Sequence, residues 1–374
     1  MAWRVESGSP SGAQPDSRWS TPQANTALVA LTVRSPAPFA SWERIYHADP
    51  MALPTQSTAW CKAIVSNGHF VDESRLYTFR DGGQVVVPLF AEAGLGRLLG
   101  RLWSPPAAWG FGGTIADHRL DSERMALVLD DLSRLSPLGI RLRPNPLAAE
   151  IWDLAAPNWT KLARMAHVLD LSGGMDVVWA SRIKPRTRTT IRKAEASGME
   201  IVSGNSRDLI AQFYGLFQRS IARWAQQQHE PLALALWRAK RRDPIEKFYA
   251  MADAMGDKFC LWIARHEGEA IAAIVVLQDH NAHYTRGAMN EELAGPLSAN
   301  FLLHHRAIEA ACTAGCRSYH MGETGNSGSL AQFKSRFGAV GIPYGEYLRE
   351  TVPLHRLVTG TRGLVKRAIG FRDA

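Results

Sequence analysis

The sequence predicts an α+β protein, with mixed sheets covered by helices on both faces and laid down twice along the chain. Three observations predict it. Strand and helix patterns alternate from residue 27 onward, and each half repeats the order helix, antiparallel hairpin, helix, strand. The hairpin glycines Gly82 and Gly268, and the helix-stop glycines Gly139 and Gly315, fall at similar offsets in the two halves. At 374 residues the chain is also long enough for two cores, each of about 150 to 190 residues.

In the first half a strand over 28–34 precedes a helix over 56–65, closed by Asn67-Gly68. A hairpin follows, with arms 75–80 and 84–90 around Asp81-Gly82-Gly83, where glycine supplies the positive φ of a tight reversal. After a Pro/Gly/Trp-rich loop over 104–113 come a helix over 122–135, N-capped by Asp121, and a strand over 140–143. The second half places helices over 208–224 and 232–255, the latter around Pro244, before a hairpin with arms 259–265 and 270–278. A third strand over 283–287, a helix over 298–314 stopped by Gly315 and a strand over 317–321 complete the repeat. The expected organisation is a disordered leader (1–26), a first domain (27–160), a second domain (165–350) and a basic tail (351–374), with the boundary near 155–169 and a ligand cleft between the domains.

Composition narrows the classes. Apolar residues make up 46% of the chain and charged residues 21%, which excludes global disorder. The four cysteines form no C-x-x-C pair, against a disulfide scaffold or structural zinc. The longest apolar run, 270–277, is far shorter than the ~20 residues of a membrane span and reads as a buried strand. The leader has no apolar core of a signal peptide, so the protein is expected in the cytoplasm. A net charge of +8 suits an anionic partner, whether nucleic acid, phosphorylated substrate or membrane surface, or else reflects a soluble enzyme rich in arginine.

Four segments carry chemistry. Residues 182–193 hold six basic side chains in twelve, and Pro185 opens a helix that ends before Gly198. Arg188 and Arg192 then share a face suited to phosphate oxygens, unless the helix is merely solvated with Arg192 paired to Glu195. Residues 325–338 form a glycine loop and an amphipathic helix in which Phe333 and Phe337 anchor one side. Lys334 then reaches a cleft edge, where it stabilises developing negative charge, or lies on the surface. On the strand 318–323, His320 and Glu323 are candidates for proton transfer or structural residues. The helix start at Ser298 and Asn300 offers free amides to an anion, behind a loop with one glycine. The tail over 353–371 reads as a capping helix or a basic membrane or RNA contact. The sequence has no Walker loop, G-x-G-x-x-G after a strand, G-x-S-x-G or H-E-x-x-H, and the pair His304-His305 lacks partners at metal-ligand spacing.

Taken together, the stretch Lys184 to Gly198 (KPRTRTTIRKAEASG), the Phe213-Tyr214 helix, Tyr284 to Gly287, the helix ending at Gly315 and Leu330 to Gly338 (LAQFKSRFG) resemble the Fem family of peptidyltransferases and their Fem-like relatives in the GNAT acyltransferase superfamily. The resemblance implies tandem duplicated GNAT-like acyltransferase domains. It implies an N-acyltransferase that makes an amide from acyl-CoA or aminoacyl-tRNA and an acceptor amine, with no tightly bound cofactor, no metal and no DNA partner. The acceptor is expected to be a small molecule or peptide, from cell-wall, polysaccharide or peptide natural-product synthesis, and tRNA is a candidate partner. Phe333-Lys334 matches the family's Phe-Lys pair, whose lysine stabilises the acyl-transfer intermediate. Arg186, Arg188 and Arg192 match its basic segment, and Trp109-Gly-Phe-Gly-Gly113, with Trp109 and Gly112, looks like the loop lining the acceptor groove. Tyr284 and Arg286 are expected on substrate, and Ser298 and Asn300 on the donor. Two departures stand out: no long helical hairpin is inserted, and the strand end reads Tyr319-His320-Met321-Gly322 where relatives carry an acid. The rival reading is an inactive module that keeps the fold to bind anions or RNA. The catalytic reading requires Lys334 beside a concavity and close to Arg188, rather than in bulk solvent and remote from both.

Overall fold

The computed structural model describes residues 31–94, 100–135, 138–325 and 327–350; the expected leader and tail lie outside the described residues. The first half runs β1 (Leu31–Arg34), α1 (Phe39–Ala48), α2 (Thr58–Ser66), β2 (Phe70–Asp72), β3 (Arg75–Phe79), β4 (Gln84–Val87), β5 (Phe90–Glu92), β6 (Arg101–Ser104), β7 (Ile115–Ala116), α3 (Ser122–Ser133), β8 (Gly139–Leu142) and α4 (Ala149–Ala155). After β9 (Thr160–Asp170) come α5 (Gly174–Val177), α6 (Pro185–Glu195), β10 (Glu200–Gly204), α7 (Arg207–Gln227), α8 (Leu232–Arg242) and α9 (Ile245–Met255). The chain then forms β11 (Phe259–His266), β12 (Glu269–Gln278), β13 (Ala282–Met289), α10 (Glu291–Leu297), α11 (Ala299–Thr313), β14 (Ser318–Glu323), α12 (Gly328–Arg336) and β15 (Val340–Arg349).

The local rules behind these elements are those read from the sequence. Asp121 caps α3 by accepting from the amide of Arg124 at 2.8 Å. Ser57 caps α2, so this helix starts at Thr58, after a 3₁₀ turn over Pro54–Gln56. Pro244, with no amide to donate, separates α8 from α9. The first hairpin is shorter than expected: Pro88 ends β4 at Val87, and Phe90 begins β5 in another sheet. The buried run 271–277 of β12 is apolar throughout because helices cover both faces of the sheet there.

The duplication is legible in the topology. Each half contains an antiparallel run, β1-β3-β4-β7 or β10-β11-β12-β13, and a parallel pair joined through helix: β6 and β8 through α3, β13 and β14 through α10 and α11. The expected boundary near 155–169 is where the structure departs from the sequence reading. It is the 11-residue strand β9, which pairs with β14 on one side and β15 on the other, while β15 pairs with β8 of the first half. The closing strands are thereby exchanged between halves, and eleven strands form one sheet in the order β10-β11-β12-β13-β14-β9-β15-β8-β6-β5-β2. A shared core adds to the union, since Trp42, Trp60 and Ile64 pack in one cluster with Phe213, Phe217, Phe248 and Met251. The period-2 pattern of β9 is weak, and a strand whose partners lie far away in sequence resembles a linker until those partners are known.

Candidate active site

A cleft of about 400 Å³ opens where β13 and β14 part. These parallel strands pair at Ala282 with Tyr319 and at His283 with His320, and then diverge. Both strands are irregular at that point. The register of β13 slips between Tyr284 and Arg286, and that of β14 slips between His320 and Glu323, around Gly322 at φ +74°. Tyr284, Thr285 and Arg286 line one side, and Gly322 and Glu323 the other.

Lys334 holds the bulge in β14. It is buried at 2% exposure, and its Nζ donates to the carbonyls of Gly322 at 2.9 Å and Glu323 at 2.7 Å. Burial brings its pKa down to about 8, opposed by the Glu323 charge. The side chain thus lies behind the cleft wall, not in bulk solvent. Phe333, its neighbour on α12, packs edge-on to Phe301 and His304. Its partner Phe337 is at 5.4 Å, as the i, i+4 spacing predicts.

Glu323 faces the cleft. Tyr344 OH donates to its carboxylate, and Arg143 Nε is 4.0 Å away. Arg143 also bonds Glu346 at 3.2 Å, beside Arg141 at 2.6 Å and Arg164 at 2.7 Å. Burial would raise the pKa of Glu346, but the hydrogen bond from Arg141 and the charge of Arg143 hold it at about 2. His320 does not reach the cleft. It is fully buried among Phe111, His283 and His167, its Nδ1 accepts from the amide of Gly322, and burial pushes its pKa well below the usual value. The neutral ring therefore carries its proton on Nε2 and serves the fold of the bulge. His283, on the cleft wall, is likewise lowered to about 3 by burial and then by Lys334.

The opposite wall comes from the first half and from α9. Trp60 Nε1 donates to Trp109 O at 3.0 Å, and the Lys247 ammonium lies 4.4 Å from the centre of the Trp109 ring. Trp109 and Gly112 back this wall, while Ala108, Gly110 and Phe111 form its surface. Gly110 has φ +83°, and a Cβ there would approach Thr55 Cγ2 to 2.7 Å, so glycine is required for the turn. Lys247 also donates to Ala108 O at 2.7 Å and to Asp243 at 2.9 Å. Asp243 additionally accepts from Arg242 at 2.8 Å and Arg286 at 2.9 Å. Burial opposes the charge of Asp243, yet Lys247, Arg286 and Arg242 keep its pKa well below the carboxylate range; burial brings Lys247 down to about 8 despite Asp243.

The structure therefore brings Tyr284, Arg286 and Glu323 to the cleft wall, with Lys334, Trp109 and Gly112 directly behind it. The basic helix is not part of that wall. Arg188 donates to the carbonyls of Trp179 and Ala180 at 2.8 and 2.6 Å, Arg192 lies 5.6 Å from the Trp179 ring, and Arg186 is exposed. Glu195 pairs with Arg306 rather than Arg192. Ser298, at φ 57°, makes no cap hydrogen bond, and the Asn300 amide contacts Met289 Sδ at 3.0 Å. Sequence reasoning missed Asp243, Lys247, Arg242 and Arg143. For the first two a signal exists, an Asp and a Lys four apart across a helix-starting proline; for Arg143 there is none. Elsewhere, His47, Asp279 and His280 bring possible metal-ligand atoms within 4.8 Å of one another, but Lys258 already neutralises Asp279 at 2.7 Å.

Residues 181–335 match the acetyltransferase (GNAT) domain family. Among solved structures, FemX is similar over 87% of this chain and 99% of its own, at 12% identity and a TM-score of 0.59. A conserved protein of unknown function from Bacteroides thetaiotaomicron is similar over 85% and 99%, at 10% identity and a TM-score of 0.50. A tandem GNAT protein from the clavulanic acid biosynthesis pathway is similar over 87% and 99%, at 12% identity and a TM-score of 0.48. No curated protein matches the chain in sequence. At these identities the likeness is one of fold: the chain shares the fold of FemX, and part of its second half is similar to the acetyltransferase (GNAT) domain.

Proposed function

We propose that the protein is an N-acyltransferase, moving an acyl or aminoacyl group from acyl-CoA or aminoacyl-tRNA to an acceptor amine in the cleft between β13 and β14. The observation that carries the reading is the parting of these strands beyond His283 and His320, beside the carboxylate of Glu323. An extended donor lies between the strands with its carbonyl at the bulge of β14. The first amides of α11, after the uncapped Ser298 and at Asn300, suit the donor's phosphates.

In this reading the amine nitrogen attacks the carbonyl carbon, and a C–N bond forms as the C–S or C–O bond to the donor breaks. The proton leaving nitrogen passes to Glu323. The departing sulfur or oxygen takes a proton from the Tyr284 phenol, which burial keeps protonated by pushing its pKa up to about 12. Solvent then restores both groups. Lys334 spends two of its three N–H donors on carbonyls from behind the wall, and its positive charge stabilises the oxyanion of the intermediate across the bulge. Arg143, Arg242, Lys247 and Arg286 outnumber the two carboxylates of the lining, Asp243 and Glu323, and favour an acceptor that itself bears a carboxylate or phosphate.

The test is a mass-spectrometric search for amide product from acetyl-CoA, longer acyl-CoAs and aminoacyl-tRNA, each with a panel of amines bearing anionic groups. Product is expected with one donor class, and Glu323→Gln is expected to lower kcat about 100-fold while donor binding persists. Absence of product from every pair, with no thermal shift on adding any donor, would leave a binding module as the better description.

A further inference from the structure

The helix α8 is turned inside out relative to an ordinary surface helix. Its two buried residues are the small Ala235 and Ala239, while Leu232, Leu234, Leu236 and Trp237 are exposed at 49, 39, 36 and 59%. Surface helices normally bury their large apolar side chains and expose polar ones. Here four large apolar groups fall within six residues, and successive 100° turns put Trp237 at the crest, opposite the two alanines, with Leu234 and Leu236 to its two sides and Leu232, at the helix start, beside the alanine face.

The charges on the same helix are all of one sign. From Pro231 to Arg242 there is no acidic residue. Arg238 turns back to the buried Glu230 at 2.7 Å, and Arg242 to Asp243. Lys240 and Arg241 are exposed; Lys240 has no ion-pair partner among the described residues, and the Arg241 guanidinium lies 5.7 Å from the Trp237 ring. A protruding ridge of leucine and tryptophan, flanked by cations on flexible stems, suits a surface that accepts apolar groups to a shallow depth and presents negative charge outside it. A protein partner suits it less well, since lysine is depleted at the centres of protein interfaces and a convex ridge needs a groove of matching shape.

We propose that α8 docks the protein on an anionic lipid bilayer, with Leu234, Leu236 and Trp237 entering the headgroup and acyl boundary and Lys240 and Arg241 meeting lipid phosphates. The contact has a place in the architecture. The end of α8, at Arg242 and Asp243, forms part of the cleft wall, so docking sets the cleft beside the membrane surface. The inference is independent of the transfer reaction, and it concerns a helix apart from the tail.

Co-sedimentation of the full chain with phosphatidylcholine vesicles containing about 30 mol% phosphatidylglycerol tests it. Wild type is expected in the pellet, with at least tenfold weaker binding to pure phosphatidylcholine and in high salt. The double variant Leu236→Ser/Trp237→Ala is expected to lose binding at least tenfold, and Lys240→Glu/Arg241→Glu at least as much, with unchanged circular dichroism because these side chains face outward. Wild type remaining in the supernatant, or equal sedimentation of the Leu236/Trp237 variant, overturns the proposal. So does a concentration-dependent dimer that the same variant abolishes, since a second copy would then cover the ridge.

Discussion

The Lys334 ammonium donates to the main-chain carbonyl of Glu323 at 2.7 Å, while the carboxylate of the same residue takes its hydrogen bond from Tyr344. The lysine therefore fixes the backbone of the bulge that presents Glu323, and the acid stays available to the cleft. A charge used in this way is a positioning device first, and any catalytic use falls to its electrostatic effect across the bulge.

Lys334→Met removes that device with little change in volume. Two carbonyls lose their donor, partly offset by relief of a buried charge, so stability is expected to drop by about 1–2 kcal/mol in urea unfolding. Turnover is expected to fall about 100- to 1,000-fold, with a much smaller change in KM. An effect on stability alone would make Lys334 purely structural.

The pH profile separates activity from folding. With its pKa near 8, Lys334 loses its proton as the pH rises through that value, and the rate is expected to decline above about pH 8. The folded value lies below the ordinary 10.5, so the unfolded chain binds the extra proton between these limits and this group adds stability as pH rises across the window. Activity is thus expected to fall about tenfold between pH 7 and 9 while the melting temperature shows no loss from this group. A flat rate profile from pH 7 to 9.5 would contradict the assignment.

Glu346 gives a linkage of the same sign in an acidic window. Arg141, Arg143 and Arg164 hold its pKa at about 2 against an ordinary 4.5, so its stabilisation is present above the unfolded value and is lost as pH falls toward 2. That loss is on the order of 3 kcal/mol. Glu346→Gln is expected to be destabilised at neutral pH and to flatten the acid limb of an unfolding curve, because the titrating group is gone.

Asp243→Asn leaves Lys247, Arg242 and Arg286 without their shared carboxylate. Breaking one partner out of a buried pair costs about 3–5 kcal/mol, and a lower melting temperature is expected together with a Lys247 that is neutral at pH 7. Partial recovery of stability in Asp243→Asn/Lys247→Met is the check that buried charge is the cause.

Arg188 tests the revised role of the basic helix. Since its guanidinium is bound to the carbonyls of Trp179 and Ala180, Arg188→Met is expected to lower stability by about 1–2 kcal/mol and to leave donor KM within about twofold. A KM rise of tenfold or more at unchanged stability would return Arg188 to phosphate binding.

Helix ends, hairpin turns and the repeated order of elements were readable along the chain, because caps, glycines and apolar periods act over a few residues. Asp121, Gly268 and Gly315 work where their neighbours imply they should. For His320 and Arg188 the sequence leaves a functional and a structural reading open for one reason: a residue's chemical type announces what it is able to do, whereas burial and the groups already bonded to it decide whether it is free to do it. Arg143 and Asp243 escaped notice because their partners lie far off in the sequence, apart from neighbours such as Arg242 and Lys247.

Local pattern by itself determined the α+β class, the duplication, the basic α6 and the Phe333-Lys334 pair. Tertiary structure alone decided that β9 and β15 cross between halves, that two bulged strands part to form the cleft, and that Lys334 holds main chain behind its wall. The strand exchange depends on pairing between segments more than a hundred residues apart, the other two on burial and on which strands part, and desolvation and long-range register leave no mark in a local sequence window.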